Sequence, residues 1–197
     1  MKRIIVIVLA VMLFGCGQAP EVSEKVVWYP TPKAVKHFEL QDQYGETVSN
    51  QDFADKWNLL FLGYTSCPDI CPMTLLKLTH VYQSVENKDS LQVWFVSVDP
   101  NRDTKDKRLA YIKHFEPAFK AVSGDHAALF PFVRDLGLIY AINQEQKGEY
   151  YVDHSASVAL INPDGQLEAI FKPSYAEGTV PTIDDKLLLK DLEKIIN

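Results

Sequence analysis

Two cysteines and a distant histidine carry most of the chemistry this sequence can offer. Cys67 and Cys71 bracket Pro68-Asp69-Ile70 in the run Thr65-Ser66-Cys67-Pro68-Asp69-Ile70-Cys71-Pro72. A thiolate is both a nucleophile and a metal ligand, so a close pair can exchange disulfides or grip a soft ion. Three intervening residues, one more than in a C-x-x-C redox motif, let the sulfurs open to two corners of a metal site, and a disulfide stays possible. Soft thiolates select Cu(I), and two of them with one imidazole make a three-coordinate site. Of the five histidines, His37 lies near the start of the domain. His80 and His114 fall in helical patterns, and His126 follows a helix cap; all four read as ordinary satisfied or solvated residues. His154 differs. In Asp153-His154-Ser155 it opens onto a late apolar run and can bring a third donor from far along the chain. Asp69 reads first as a cap of the first helical turn, with metal tuning or weak ligation as its alternative. Asp153 reads as an acceptor orienting the His154 imidazole or, equally, as a solvated carboxylate.

These residues need elements to hold them. Residues 57–64 (WNLLFLGY) and 91–98 (LQVWFVSV) are nearly continuous apolar runs, as expected of strands buried on both faces. The first leads straight into the cysteine turn, and Leu75, Leu76, Leu78 and Tyr82 give the following segment a helical stripe. A thiolate at such a strand-to-helix turn faces the positive end of the helix, which lowers its pKa, and Pro68 and Pro72 stiffen the turn. Thr104 or Asp103 can cap a second helix and Asp125 a third. Tyr44-Gly45 centres a small hairpin near the N-terminus. Asn162-Pro163-Asp164-Gly165 centres another between residues 155–161 and 167–171, and a last helix covers 184–196. The order strand, helix, strand, helix, helix, strand, strand, helix predicts an α/β chain of thioredoxin-like plan. Its features are a mixed central sheet, an N-terminal hairpin and extra helix insertions. In such a plan the loop before the late strand lies beside the cysteine turn, which places His154 there.

The ends and the composition bound the rest. A basic start and eleven apolar residues, 4–14, are too short for a membrane span, which needs roughly 20, and read as a secretory signal. Leu13-Phe14-Gly15-Cys16 resembles the lipobox of bacterial lipoproteins, in which the cysteine is lipidated and becomes the N-terminus. Residues 1–15 are therefore expected to be a signal peptide, 16–33 a flexible proline-bearing tether, and 34–197 the domain. The location expected is extracytoplasmic, anchored to a membrane by lipid at Cys16. The net charge of −6, with no basic patch, argues against nucleic acid as a partner. With Cys16 given to lipid, the remaining close pair closes too small a loop to staple a domain, which favours redox or metal chemistry. A monomer is expected.

Three separated blocks now carry a resemblance. Gly63 to Pro72 (GYTSCPDICP), Ser97 to Thr104 (SVDPNRDT) and Asp153-His154-Ser155 are similar, in this order, to the Sco/SenC family, over roughly residue 38 to the last helix. One departure is Ser66, where many relatives carry a histidine. The resemblance implies a thioredoxin-like domain that binds copper, as Cu(I) and in some states Cu(II), through Cys67, Cys71 and His154. It also implies a metallochaperone role in assembling the CuA centre of cytochrome c oxidase subunit II, with a thiol reductant needed to open the pair. The alternative is an enzyme, a thiol-disulfide oxidoreductase in which Cys67 and Cys71 are the catalytic pair, acting on the CuA cysteines or another exported protein. A peroxidase using Arg134 and a passive copper store are weaker readings.

Overall fold

The structure, a computed structural model, describes residues 19–144, 150–175, 178 and 180–196. The signal segment and Cys16 lie outside them. In chain order the strands and helices are β1 (Val26–Ala34), β2 (Glu39–Gln41), β3 (Thr47–Ser49), β4 (Trp57–Gly63), α1 (Ile70–Ser84), β5 (Leu91–Ser97) and α2 (Lys105–Lys113). They continue with β6 (Lys120–Val122), α3 (His126–Asp135), β7 (Tyr140–Gln144), β8 (Tyr150–His154), β9 (Val158–Ile161), β10 (Gln166–Phe171) and α4 (Asp185–Ile196).

Six strands make one mixed sheet in the order β1-β10-β9-β4-β5-β6. The parallel trio β4-β5-β6 is joined through α1 and α2, which right-handed crossovers place on one face. The two apolar runs become β4 and β5, the central strands, where Leu59, Leu60, Phe61, Leu62, Val93, Trp94, Phe95 and Val96 are fully buried. Phe95 packs on Tyr111 of α2, and α1 lies against α4. Trp94 points the other way, onto Phe53. There Phe38 sits between Phe53 and Phe132 of α3, with ring centroids 5.2 and 4.3 Å away. Burying such side chains stabilises by about 1.5–3 kcal/mol each relative to exposure, so this sheet supplies a core without a disulfide. The fold is thioredoxin-like, with the β2–β3 hairpin added at the front.

Three elements depart from the sequence reading. Much of the expected tether is β1, an edge strand antiparallel to β10 with Val26 opposite Phe171 and Lys33 opposite Leu167. Its prolines, Pro30 and Pro32, sit where the register shifts between Trp28 and Lys33, and a missing N–H is tolerated at an edge or bulge. The preceding residues are tied down as well: the Ser23 amide and hydroxyl donate to the buried Asp191 of α4, at 3.0 and 2.5 Å. Lys120–Val122 adds β6, too short to show a period. Finally, β7 and β8 pair antiparallel as a separate two-stranded sheet, Tyr140 opposite His154. His154 therefore ends a strand of its own instead of beginning β9.

Candidate metal centre

β4 brings the chain to the site and α1 receives it. Gly63, the last residue of β4, must be small: a Cβ there would come 2.5 Å from a ring carbon of Phe95 and 3.2 Å from Cys71 Sγ. The Cys67 amide then donates to the Tyr64 carbonyl (3.2 Å), and the turn leaves Cys67 half-buried and Cys71 buried in the first turn of α1. Pro72 falls in that same turn, where its missing N–H has no helical partner to lose. The Cys71 amide points at Cys67 Sγ, 3.4 Å away. A sulfur thus takes the place expected of the Asp69 carboxylate. Asp69 stands at the N-cap position but makes no side-chain capping bond, because the amide it would satisfy is turned to Cys67; that expectation is corrected.

A carboxylate the sequence hid in a turn fixes this loop. Asp103 is 1 % exposed and accepts from the Thr65 amide (2.8 Å), the Thr65 hydroxyl (2.6 Å) and the Ser97 hydroxyl (2.7 Å). It ties the turn before Cys67 to the end of β5, while Thr104 alone caps α2. A buried charge needs such partners to persist.

His154 arrives from β8 on the other side. Its Nε2 lies 3.3 Å from Cys71 Sγ, and Nδ1 lies 3.1 Å from the Ser155 carbonyl. With that carbonyl accepting from Nδ1–H, the Nε2 lone pair faces the sulfurs. Phe61 and Tyr64 meet the imidazole edge-on, at 5.8 and 6.2 Å. Of the two readings of Asp153 the structure has the solvated one: its carboxylate is exposed and takes a hydrogen bond from Asn143 across the β7–β8 pair, since strand alternation turns it away from its neighbour's side. The remaining histidines stay away from the cysteines. His80 pairs with Asp185 at 2.7 Å, His126 bonds Tyr140, and His37 is exposed near Glu39.

The two thiols are driven apart in acidity. A hydrogen bond from the Cys71 thiol lowers the Cys67 pKa to about 4 against the opposing effect of burial, and the Asp69 and Cys71 amides add to the fall. Burial, and then the Cys67 thiolate beside it, push Cys71 far above the ordinary thiol range. Burial also holds the Tyr64 phenol neutral, up at about 12. The apo pair at neutral pH is one thiolate and one thiol. The sulfurs of Cys67 and Cys71 and a ring nitrogen of His154 all lie within 4.8 Å of one another. Bonds of about 2.0–2.3 Å from nitrogen and sulfur to a first-row ion place the donors of a trigonal site roughly 4 Å apart, so the three fit a single soft ion.

Comparison with known proteins decides the family. The SCO1/SenC family model matches residues 29–186. The chain belongs to the SCO1/SenC family. A Stutzerimonas stutzeri protein, by its name a candidate copper-binding protein, is 33% identical over 144 residues, covering 72% of this chain and 71% of its own. The mitochondrial SCO2 homolog of Danio rerio is 39% identical over 133 residues, covering 65% of this chain. Of that longer relative the chain spans about half, 47%. Among solved structures, the crystal structure of Arabidopsis thaliana ScoI with copper bound matches with a TM-score of 0.71 and 30% identity, over 83% of this chain and 98% of that one.

In this SCO1/SenC chain, sequence reasoning missed the residues around Cys67, Cys71 and His154. Asp99 is fully buried; its carboxylate pairs with Arg102 and accepts from the Tyr150 hydroxyl at 2.5 Å. The Asp99-Pro100-Asn101-Arg102 run reads as an ordinary turn, and nothing local marks its charges as buried.

Proposed function

We propose that this protein is a copper metallochaperone, anchored outside the cytoplasm through lipid at Cys16, that assists assembly of a CuA-type centre. The observation that carries the reading is the convergence of Cys67, Cys71 and His154 donors within 4.8 Å, from elements 83 residues apart. Membership of the family and the copper-bound relative support it. The ion is cargo. Loading displaces the Cys71 proton, and the half-exposed Cys67 offers a sulfur that a partner's thiolate can replace, so copper can leave by stepwise ligand exchange. Disulfide formation consumes the same two sulfurs, so a thiol reductant must precede loading.

The test is a titration of the reduced full chain with Cu(I), under anaerobic conditions against a competing chelator. One copper per chain is expected. Replacing Cys67, Cys71 or His154 should weaken binding by more than the roughly 10- to 100-fold that loss of a ligand-orienting partner costs. Binding indifferent to His154 overturns the reading. The same chain expressed in a bacterium with an alkynyl fatty acid should carry the label, and Cys16→Ser should lose both label and membrane association.

One observation favours a second reading, a thiol-disulfide reductase. A low-pKa Cys67 beside a buried, protonated Cys71 suits dithiol exchange. The Cys67 thiolate would attack a partner disulfide and release one partner thiol. Cys71 would then resolve the mixed disulfide, losing its proton and releasing the second thiol. That chemistry does not need His154, so full reductase activity in His154→Ala separates the two.

A further inference from the structure

β7 and β8 form a sheet of their own, and His154 is the last residue of β8. Something must hold that hairpin against the cysteine turn. At the His154 end the backbone of Ile139 and Ser155 is linked by one hydrogen bond (2.9 Å), and the Ser155 side chain adds to it. At the other end stands Arg102. Its guanidinium lies 3.7 Å from the centroid of the Tyr150 ring and 5.4 Å from that of Tyr64. One of its nitrogens donates to the Tyr150 carbonyl at 2.9 Å, and Nε donates to Asp99. Asp99 in turn accepts from the Tyr150 hydroxyl. Arg102, Asp99 and Tyr150 thus close a ring of contacts between the loop after β5 and the first residue of β8.

This ring reaches the imidazole by two routes. One runs along β8 from Tyr150 to His154, and the other passes through Tyr64, whose ring neighbours both Arg102 and His154. A planar guanidinium can stack on two rings and donate along its edge at once, which an ammonium cannot. We infer that Arg102 is a positioning residue for the copper site, clamping β8 through Tyr150 and backing Tyr64 so that His154 Nε2 faces the two sulfurs. Arg102 touches none of the three donors and acts only through His154. The inference deepens the proposed function and rests on it for copper, though not for the placement of the ring.

The variants are Arg102→Lys, which keeps the charge and loses the fork, and Tyr150→Phe, which loses only the hydroxyl to Asp99. Lys105→Ala, an exposed α2 residue, is the control. Two readouts are taken on the full reduced chain. In the apo protein, the Phe61 and Tyr64 rings that meet His154 edge-on should shift its ring protons. In Arg102→Lys and, less, in Tyr150→Phe their NMR positions should move toward those of free imidazole, with the control unmoved. In the Cu(I) titration, Arg102→Lys should lose roughly 10- to 100-fold in affinity, the range for removal of a ligand-orienting partner. In a His154→Ala background the same substitution should cost nothing further. Unmoved His154 resonances in both variants overturn the inference. So does a loss that persists in full in the His154→Ala background, which would make Arg102 merely structural. A wild-type chain that binds no copper overturns the proposed function instead, and the ring shifts still decide the positioning role.

Discussion

The division of labour between two neighbouring sulfurs is set by where each sits on α1. Cys67 precedes the helix, half-exposed, and receives a hydrogen bond from the Cys71 thiol together with amides of the first turn. Cys71 lies inside that turn, buried. Alkylation of the reduced protein at about pH 5.5 should therefore label Cys67 and spare Cys71, read by mass spectrometry; two sulfurs that react only near the ordinary thiol value of about 8.5 would refute the assignment. Stability follows with opposite signs. Cys67 is depressed on folding, so between about 4 and the ordinary thiol value the unfolded chain binds more protons, and this contribution grows as pH rises and disappears as pH falls through about 4. Cys71 is raised on folding, so its contribution is present below the ordinary thiol value and fades above it. Cys67→Ser should flatten the first limb, measured by urea unfolding at a series of pH values. The meeting of Cys67, Cys71 and His154 was legible, because the close cysteine pair is local and the expected thioredoxin-like plan brings one late histidine beside it. Asp69 was misread, and Asp153 left open between two roles, because both depend on which way a carboxylate turns. Asp99, Arg102 and Asp103 were passed over because burial of a charge in a loop is decided by distant partners.

At the scale of elements, the central strands and the helices after them could be read, since uninterrupted apolar runs and capped stripes are local signals. β1 could not. Its sequence, VVWYPTPKA, holds two prolines that weigh against a strand, and only a bulged edge position accommodates them. The β7–β8 pair was hidden for a related reason: its core side chains, Tyr140 and Val152, are few and far apart in sequence, and its pairing gives no continuous apolar run. β1 nonetheless covers β10, whose edge would otherwise be open to pairing with another chain. Val26 and Trp28 are partly buried on the core, each worth about 1–1.5 kcal/mol at half burial, and Trp28 Nε1 donates to Glu168. A chain shortened to begin at Phe38 should lose about 3 kcal/mol, a fall of roughly 6–12 °C in Tm for a protein of this size, and should self-associate at high concentration. Calorimetry and sedimentation check both. An unchanged Tm would return residues 26–33 to the status of a tether.

For the molecule as a whole, the three donors come from two different sheets. Cys67 and Cys71 belong to the β4–α1 junction of the main sheet, and His154 belongs to the separate β7–β8 sheet. An ion held by all three is therefore a cross-link between two pieces of the fold, and binding that requires the folded arrangement must stabilise it. At a free Cu(I) concentration a thousandfold above Kd, linkage adds about 4 kcal/mol, equivalent to a rise of roughly 8–16 °C in Tm. A disulfide between Cys67 and Cys71 closes a loop with only three residues between its ends, which removes little unfolded-state entropy, and it leaves His154 unlinked. The oxidised protein should thus melt close to the reduced apo form and gain nothing from added copper. Hydrogen exchange should show where the stabilisation falls: protection increases in β8 and in the first turn of α1 together, and only in the reduced, copper-loaded chain. A rise in Tm with no added protection in β8 would mean that the ion sits on the sulfurs alone, and His154 would lose its place in the site.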